Sequence, residues 1–369
     1  MPIPDRRPTS AVRWRAIELL RPVGASRWGM AVWLAGGLGA ILGVSTALGH
    51  AEWGSAVGLG LVLTAVPSLP VAWRPAMATI VIRGLSVLAG ATLAVLTAGH
   101  PPALAAATVV AAVGGGLLPR VGPTAGLAVV LIAIDLPGDG SAGALLPYMV
   151  GVLVVALAWA CWFLCAVAMR RHRGDVVASE PQTGPNSRTW TALWPHAVRV
   201  GIAVAAAVGL AGLLPDDLVG GHWLVTSVIL TVQPDASDTG IRLAQRLSGN
   251  TVGAVIAALV LGAHPSVPVV AVVAVVLFTL AMALRPVNYT WWAVTGPPVL
   301  LVISEYPDLF PWYEGGVRLA MNLVGAVIVL VVVFGAPALT RFGSRVGGTA
   351  SPRKDDRIVY TKSNQGGDR

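Results

Sequence analysis

The stretch Arg27-Trp28-Gly29-Met30-Ala31-Val32 returns later in the chain as Arg199-Val200-Gly201-Ile202-Ala203-Val204, and each copy opens a series of apolar segments. The correspondence continues in order. Trp53 answers to Trp223 and Arg83 to Arg246, and each arginine is followed seven positions later by a glycine, Gly90 or Gly253. His100-Pro101 then answers to His264-Pro265. Duplicated apolar halves of this size are a common construction of transporters, with the substrate path between the copies.

Composition sets the solvent. The 369 residues are 55% hydrophobic and only 11% charged, with a mean hydropathy of +0.75, whereas a soluble domain carries about a quarter charged residues. The fold class expected is an all-α polytopic membrane protein. Gly, Pro and charge punctuation delimits apolar segments near 29–48, 54–72, 76–98, 103–118, 122–135 and 144–169, then 196–214, 222–233, 241–263, 267–284, 289–304 and 316–338. This predicts about 12 transmembrane helices. The expected domains are a basic cytoplasmic segment over 1–28, a first, degenerate six-helix repeat over 29–169, and a polar cytoplasmic linker over 170–195. A second six-helix repeat covers 196–338, and a disordered cytoplasmic tail covers 339–369. Thr9 to Leu20 reads as a surface helix leading into the first span.

Charge provides an independent test of the count. With the N-terminus cytoplasmic, almost all of the 25 Lys and Arg residues fall in inner segments, while Glu52, Asp135, Asp139, Asp216, Asp217, Glu305, Asp308 and Glu314 fall outside. An odd number of spans in either half would mix the two groups. The expectation is a multi-pass protein of the cell (cytoplasmic) membrane with both termini cytoplasmic. An even number of spans per half makes the repeats parallel, related by an axis along the membrane normal.

The densest motif is His222-Trp223-Leu224-Val225-Thr226-Ser227-Val228-Ile229-Leu230-Thr231-Val232-Gln233-Pro234, followed by Arg242-Leu243-Ala244-Gln245-Arg246-Leu247-Ser248-Gly249-Asn250-Thr251-Val252-Gly253-Ala254. It resembles the fusaric acid resistance protein-like (FUSC) transporters and the related aromatic acid exporters, whose pattern is a Tyr/His-Trp start, an apolar strip ending in Gln-Pro, then Arg and a Gly-Thr-x-x-Gly helix. Here Asn250 interrupts the Gly-Thr pair. Arg318-Leu319-Ala320-Met321-Asn322-Leu323-Val324-Gly325 resembles the family's closing Arg-x-x-Asp-x-x-x-Gly stretch, with Asn322 where an acid is common. The resemblance covers the second half well and implies proton-driven efflux of small organic, often aromatic, carboxylic acids. Similarity to plant malate channels keeps a passive organic-anion channel open as an alternative. A non-transporting membrane scaffold is the alternative outside transport.

Candidate substrate-binding or pathway residues are Arg246, Gln233, Asn250, Thr251, Arg83 and Arg318. Guanidinium groups inside a bundle suit bidentate capture of a carboxylate, and the competing account of Arg83 and Arg246 is snorkelling to the interface or local pairing, as between Asp238 and Arg242. Arg318, at the outer end of its span, has Glu314 four residues earlier and is read as a local pair or an outer anion-binding residue. Pro67 and Pro234 end corresponding segments, where an interrupted helix frees backbone groups. His222 is a candidate for proton coupling or simply an interfacial histidine. Tyr289, Trp291 and Trp292 are stacking partners for an aromatic ring or interfacial anchors. Gly249-x-x-x-Gly253 and Gly39-x-x-x-Gly43 permit close helix contact.

No enzyme or cofactor motif is expected. The runs Gly36-Gly37-Leu38-Gly39 and Gly114-Gly115-Gly116 lie in apolar helices, without the strand and the Lys-Ser/Thr of a phosphate cradle. Cys161 and Cys165 read as helix packing rather than a metal site. The pI of about 10.3 comes from basic residues beside spans, which argues against nucleic acid. The partners expected are a small organic anion and the lipid bilayer, with a homo-oligomer left open.

Overall fold

The computed structural model describes residues 21–70, 72–136, 141–173, 190–215, 220–304, 306–307 and 311–335. Among these, twelve α-helices follow one another: α1 Trp28–Ala47, α2 Ala51–Thr64, α3 Trp73–Leu96, α4 Pro101–Leu117, α5 Thr124–Asp135, α6 Leu146–Arg173, α7 Trp190–Ala211, α8 Gly221–Thr231, α9 Ala236–Gly262, α10 Val267–Leu284, α11 Tyr289–Ser304 and α12 Glu314–Leu330. A π-turn over Val331–Gly335 prolongs α12. In hydrocarbon a backbone must satisfy its own polar groups, and a helix does so within one segment. Hydroxyls in the helices follow the same rule: Thr64, Thr108, Thr231, Thr251 and Thr295 each donate to the carbonyl four residues earlier.

Seven stretches, containing α1, α3, α6, α7, α9, α10 and α12, are long and apolar enough to cross a membrane by length and composition. Of the twelve apolar segments expected, several were already shorter than a bilayer crossing in the sequence, and the helices formed there are short. Helices α2, α5, α8 and α11 have only 14, 12, 11 and 16 residues, about 17 to 24 Å at 1.5 Å per residue, against a hydrocarbon core of about 30 Å. These four meet in the middle of the molecule: α5 packs on α8, α2 on α11 and α2 on α5. Their ends are thus shielded by protein, the condition under which a broken span is tolerated.

The packing follows a regular scheme. In the first half α1 packs on α2, α2 on α6, α3 on α5 and α4 on α5; in the second α7 packs on α8, α8 on α12, α9 on α11 and α10 on α11. Between the halves, α4 lies on α7 and α10 on α1. Both large buried clusters draw residues from both halves, one joining Val130 and Leu131 to Val228 and Ile229, the other Leu34 and Leu38 to Ala274 and Phe278. Small residues set the closest crossings. A Cβ on Gly249 would stand 2.5 Å from Ala293 Cβ, and one on Gly90 would stand 2.5 Å from Ala128 Cβ. The Gly249/Gly253 pair therefore does serve close contact, of α9 with α11. Gly39 meets only Val275 of α10, and Gly43 faces open space, so that pair does not act as a unit.

Other local expectations change. The paired cysteines are exposed on α6, pointing outward rather than packing on a helix. Helices α6 and α7 run into both ends of the expected linker, to Arg173 and from Trp190. The proposed surface helix over Thr9–Leu20 and the tail beyond 335 lie outside the described residues. From Arg21 to Arg27 the chain lies on the α10–α11 turn: Val23 N donates to Val287 O at 2.7 Å and Arg27 N to Ala283 O at 3.1 Å.

Candidate functional site

Helix periodicity builds two polar stripes. On α9, Arg242, Arg246 and Asn250 recur every four residues beside Gly249 and Gly253; on α12, Glu314, Arg318 and Asn322 do the same beside Gly325. The glycines bring neighbouring helices close, and Asn322 ties the stripes together. Its Oδ1 accepts from Arg246 Nη2 at 3.0 Å and from Asn250 Nδ2 at 2.8 Å, while its Nδ2 donates to Arg318 O at 2.7 Å. Arg246 Nη1 also donates to the Tyr289 hydroxyl at 3.1 Å.

Arg318 points inward. Its Nη1 donates to Pro297 O at 3.2 Å, and its guanidinium carbon lies 3.7 Å from the centre of the Trp223 ring. The anticipated Glu314–Arg318 pair does not form, because an inward guanidinium finds a carbonyl and an aromatic face whereas Glu314 stays at the helix start, buried with Oε2 lacking a protein partner. The Asp238–Arg242 pair likewise gives way to Arg242 stacked 3.7 Å from the Tyr289 ring centre. On α11, Pro297 and Pro298 lack amide hydrogens, which releases the Ala293 and Val294 carbonyls from the helix ladder. Gly253 abuts both carbonyls, and a Cβ there would come 2.6 Å from Val294 O.

Arg246, Asn250, Arg318 and Pro297 border a cavity of about 130 Å³ between the halves. Arg83 of α3, Arg246 of α9, Arg285 of the α10–α11 turn and Arg318 of α12 all line it, with Asn250, Thr124, Thr226 and Trp292 among apolar residues of α2, α5, α8 and α11. No aspartate or glutamate is among the lining residues, and none of the four arginines has an ion-pair partner among the described residues. Arg83 Nε donates to Leu63 O at 3.1 Å, at the end of α2, and Arg285 lies 4.7 Å from the Trp292 ring centre. Arg246 Nε and Asn250 Oδ1 are buried with no protein partner. A guanidinium without a counter-charge in a poorly solvated cavity is costly, and an anion offsets that cost.

A larger cavity of about 440 Å³ lies beside it, bounded by α4, α7 and the end of α8, and Pro123 lines both. Gln233 and Pro234 line this second cavity, where Arg199 Nη2 donates to Pro234 O at 2.5 Å. Of the residues singled out in the sequence, Arg83, Arg246, Asn250 and Arg318 thus converge on one cavity. Gln233 borders the next, turning its amide to the carbonyls of Leu230 and Val232. Thr251 is exposed on the opposite face of α9 and bonds its own helix. His222 lies against Trp223 with ring centres 4.2 Å apart and planes tilted by 57°, outside the cavity. Helices α2 and α8 end at Thr64 and Thr231, each three residues before its proline.

Trp292, read from the sequence as a stacking partner or an interfacial anchor, lines the cavity, whereas Arg285 did not stand out as a site member and Asn322 stood out only as a motif substitution. Arg285 reads there only as one more inner-side charge, and its place in the same cavity wall as Arg83 depends on packing between segments far apart in the chain. One turn beyond Leu131 and Leu300, a second polar group joins the halves. Asp135 accepts from Tyr148 at 2.9 Å and from Ser55 at 3.4 Å, and Ser55 also donates to Ser304 O at 3.1 Å.

The apolar helices define a helical membrane protein. Residues 200–332, a stretch that holds Arg246, Asn250, Arg285, Arg318 and Asn322, match the fusaric acid resistance protein-like family, a family of membrane transporters. Among curated proteins, it is similar to the uncharacterized protein ORF2 of Neisseria gonorrhoeae, 32% identical over 104 residues that cover 26% of this chain and 24% of the relative. It is also similar to an uncharacterized protein of Haemophilus influenzae, 29% identical over 99 residues, 27% of this chain and 14% of the relative. The matches therefore span about a quarter or less of those relatives' lengths. No solved structure matches the chain.

Proposed function

We propose that the protein is a secondary transporter that exports small organic, aromatic carboxylate anions through the cavity between its halves, driven by the proton gradient across the cell membrane. The observation that carries this reading is the convergence of Arg83, Arg246, Arg285 and Arg318 on one cavity with no lining carboxylate among the described residues. Trp292 in the wall supplies a flat face for a ring. The larger cavity past Pro123 is the approach from the side where α2 and α8 end, which positive-inside counting makes cytoplasmic.

The reading includes a two-repeat architecture of twelve membrane helices with both termini cytoplasmic. Its support is the helix pairing: each contact of α1–α6 named above has its counterpart six helices on, and α4 on α7 is answered by α10 on α1. Gly90 and Gly253 also meet the matching helices α5 and α11.

A passive anion channel is the second reading. Its specific support is that, among the described residues, no carboxylate or histidine lines the arginine cavity to carry a coupling proton. Efflux of radiolabelled benzoate from proteoliposomes with and without a pH gradient separates the readings. Export predicts uphill benzoate movement that stops when the gradient is collapsed. A channel predicts downhill flux indifferent to it. Absence of protein-dependent flux under both conditions sinks both and leaves the scaffold.

A further inference from the structure

The arginine cavity has no acid in its wall among the described residues, but the helices that form the wall carry one a turn farther out. Leu131 of α5 and Leu300 of α11 line the cavity. Four residues on, about 6 Å along each axis, stand Asp135 and Ser304, the last residues of their helices. Positive-inside counting places both on the outer side. Asp135 is half-buried, and its Oδ2 accepts from the Tyr148 hydroxyl at 2.9 Å. Its Oδ1 shares the single hydroxyl hydrogen of Ser55 with Ser304 O, at 3.4 Å and 3.1 Å from Ser55 Oγ. Ser304 O is a helix-terminal carbonyl, with no intrahelical donor. Ser55 thus stands between an acid of the first half and a carbonyl of the second. Tyr306, whose ring lies against the neighbouring Gly54, bonds Thr46 of α1 through its hydroxyl and makes a second link between the halves on the same side.

We propose that Asp135 is the proton-binding site that couples transport, and that Ser55 and Ser304 convert its charge into closure of the outer side. The inference rests on the proton-driven export reading and supplies the acid which that reading needs. An ionised Asp135 can only accept. It draws the Ser55 hydroxyl to itself and leaves Ser304 O undersupplied. A proton taken up from the outer side on Oδ1 makes that oxygen a donor to Ser55 Oγ. The Ser55 hydrogen then serves Ser304 O alone, and one unbroken chain of hydrogen bonds runs from Tyr148 through Asp135 and Ser55 to the second half. The proton-loaded protein is therefore closed outside. Loss of that proton to the cytoplasmic side loosens the bridge for outward release of the anion, and the alternation is antiport.

Tyr148 is the titratable side chain that bonds Asp135. At the outer ends of the helices packed on α5, Glu52 of α2 is exposed beside His50, 3.5 Å away, and His100, at the start of α4, bonds Ala98 O. His222 of α8 lies against Trp223, and α3 carries no titratable residue beyond Arg83. Asp139, Glu305 and Asp308 lie outside the described residues.

The test is uphill benzoate transport driven by a pH gradient in proteoliposomes of the full-length protein, with empty liposomes as the blank. Benzoate-dependent proton movement, read by a trapped pH dye, and benzoate binding at pH 7.5 are measured alongside. Asp135→Asn, which cannot ionise, should lower both uphill transport and the coupled proton movement at least tenfold while changing benzoate affinity by less than threefold. Asp135→Glu, which keeps the acid, should restore part of both. Tyr148→Phe removes a donor to the carboxylate, so the outer-pH midpoint of uphill transport should rise by about one pH unit. A wild-type melting temperature shows that Asp135→Asn is folded; if it does not fold, the Tyr148→Phe midpoint decides. Wild-type uphill transport in Asp135→Asn, or an unmoved midpoint in Tyr148→Phe, overturns the inference and leaves the export reading standing. Loss of benzoate binding in folded Asp135→Asn also overturns it, since the carboxylate would then serve the anion site. Downhill flux without uphill transport in the wild type overturns the export reading and the inference with it.

Discussion

Asn322 sits behind the arginine cavity, not in its wall, yet its neutrality sets the charge that an anion meets. Its Oδ1 lies 3.0 Å from Arg246 Nη2 and 2.8 Å from Asn250 Nδ2. Asn322→Asp keeps the shape and the acceptor while adding a negative charge. A carboxylate one side chain away, about 7 Å from a bound anion, repels it by about 2.4 kcal/mol at an effective dielectric of about 20, roughly 50-fold in Kd. The same carboxylate pairs with Arg246 and draws its guanidinium away from the ligand, which adds to the loss. Isothermal titration of benzoate into the purified variant at pH 7.5 measures the effect directly. Asn322→Ala is the control: it strands Arg246 Nη2 and the Asn250 amide, at a stability cost of about 1–3 kcal/mol, but adds no charge and should weaken benzoate less than fivefold. A folded Asn322→Asp protein that binds benzoate as tightly as wild type would refute the argument, as would an alanine variant weaker than the aspartate one.

Four further outcomes follow from the geometry. Arg246→Gln should lower benzoate efflux from proteoliposomes at least tenfold while membrane insertion is unchanged, and Arg246→Lys should restore only part of it, since a single ammonium cannot reach both Asn322 and the ligand in fork geometry. Gly249→Val should lower the melting temperature in detergent, because its Cβ would fall 2.5 Å from Ala293 Cβ and overpacking costs about 1–3 kcal/mol. Gly36→Ala, with nothing within 4 Å of its Cβ, should leave the melting temperature unchanged or slightly raised. Tyr148→Phe removes the 2.9 Å donor to Asp135 and should cost about 1–3 kcal/mol of stability in thermal unfolding, reading the price of an under-satisfied carboxylate between the helices.

Most of the helical plan was legible in the chain because apolar runs and their Gly/Pro punctuation are local properties. The starts and ends of α1, α10 and α11 agree with the sequence segments within a residue or two. Lengths were less legible where polar residues extend a helix. The segment expected from 241 begins at Ala236, since Thr239, whose hydroxyl bonds the Asp235 carbonyl, secures the first turn. Arg83 and Arg246 were recognisable as unusual because an intramembrane guanidinium is costly wherever it lies. Their partners were not. The i, i+4 spacing of Glu314 and Arg318 favours an exposed pair, but Arg318 is buried at 8% exposure, and the Trp223 face and Pro297 carbonyl, both distant in sequence, take the guanidinium instead.

The sequence alone determined the solvent of this protein, the run of helices and the residues whose cost inside a bilayer demands a reason, because hydropathy and side-chain charge are carried by each segment wherever it packs. Tertiary structure decided which of those residues share a cavity. The convergence of Arg83, Arg246, Arg285 and Arg318 needs the short helices α2, α5, α8 and α11 to meet at the centre, and it needs Gly249 and Gly253 to draw α9 onto α11. Those are long-range steric facts, fixed by which surfaces can approach closely; the Gly249-x-x-x-Gly253 pattern announced a close contact, but nothing local in the chain named its partner.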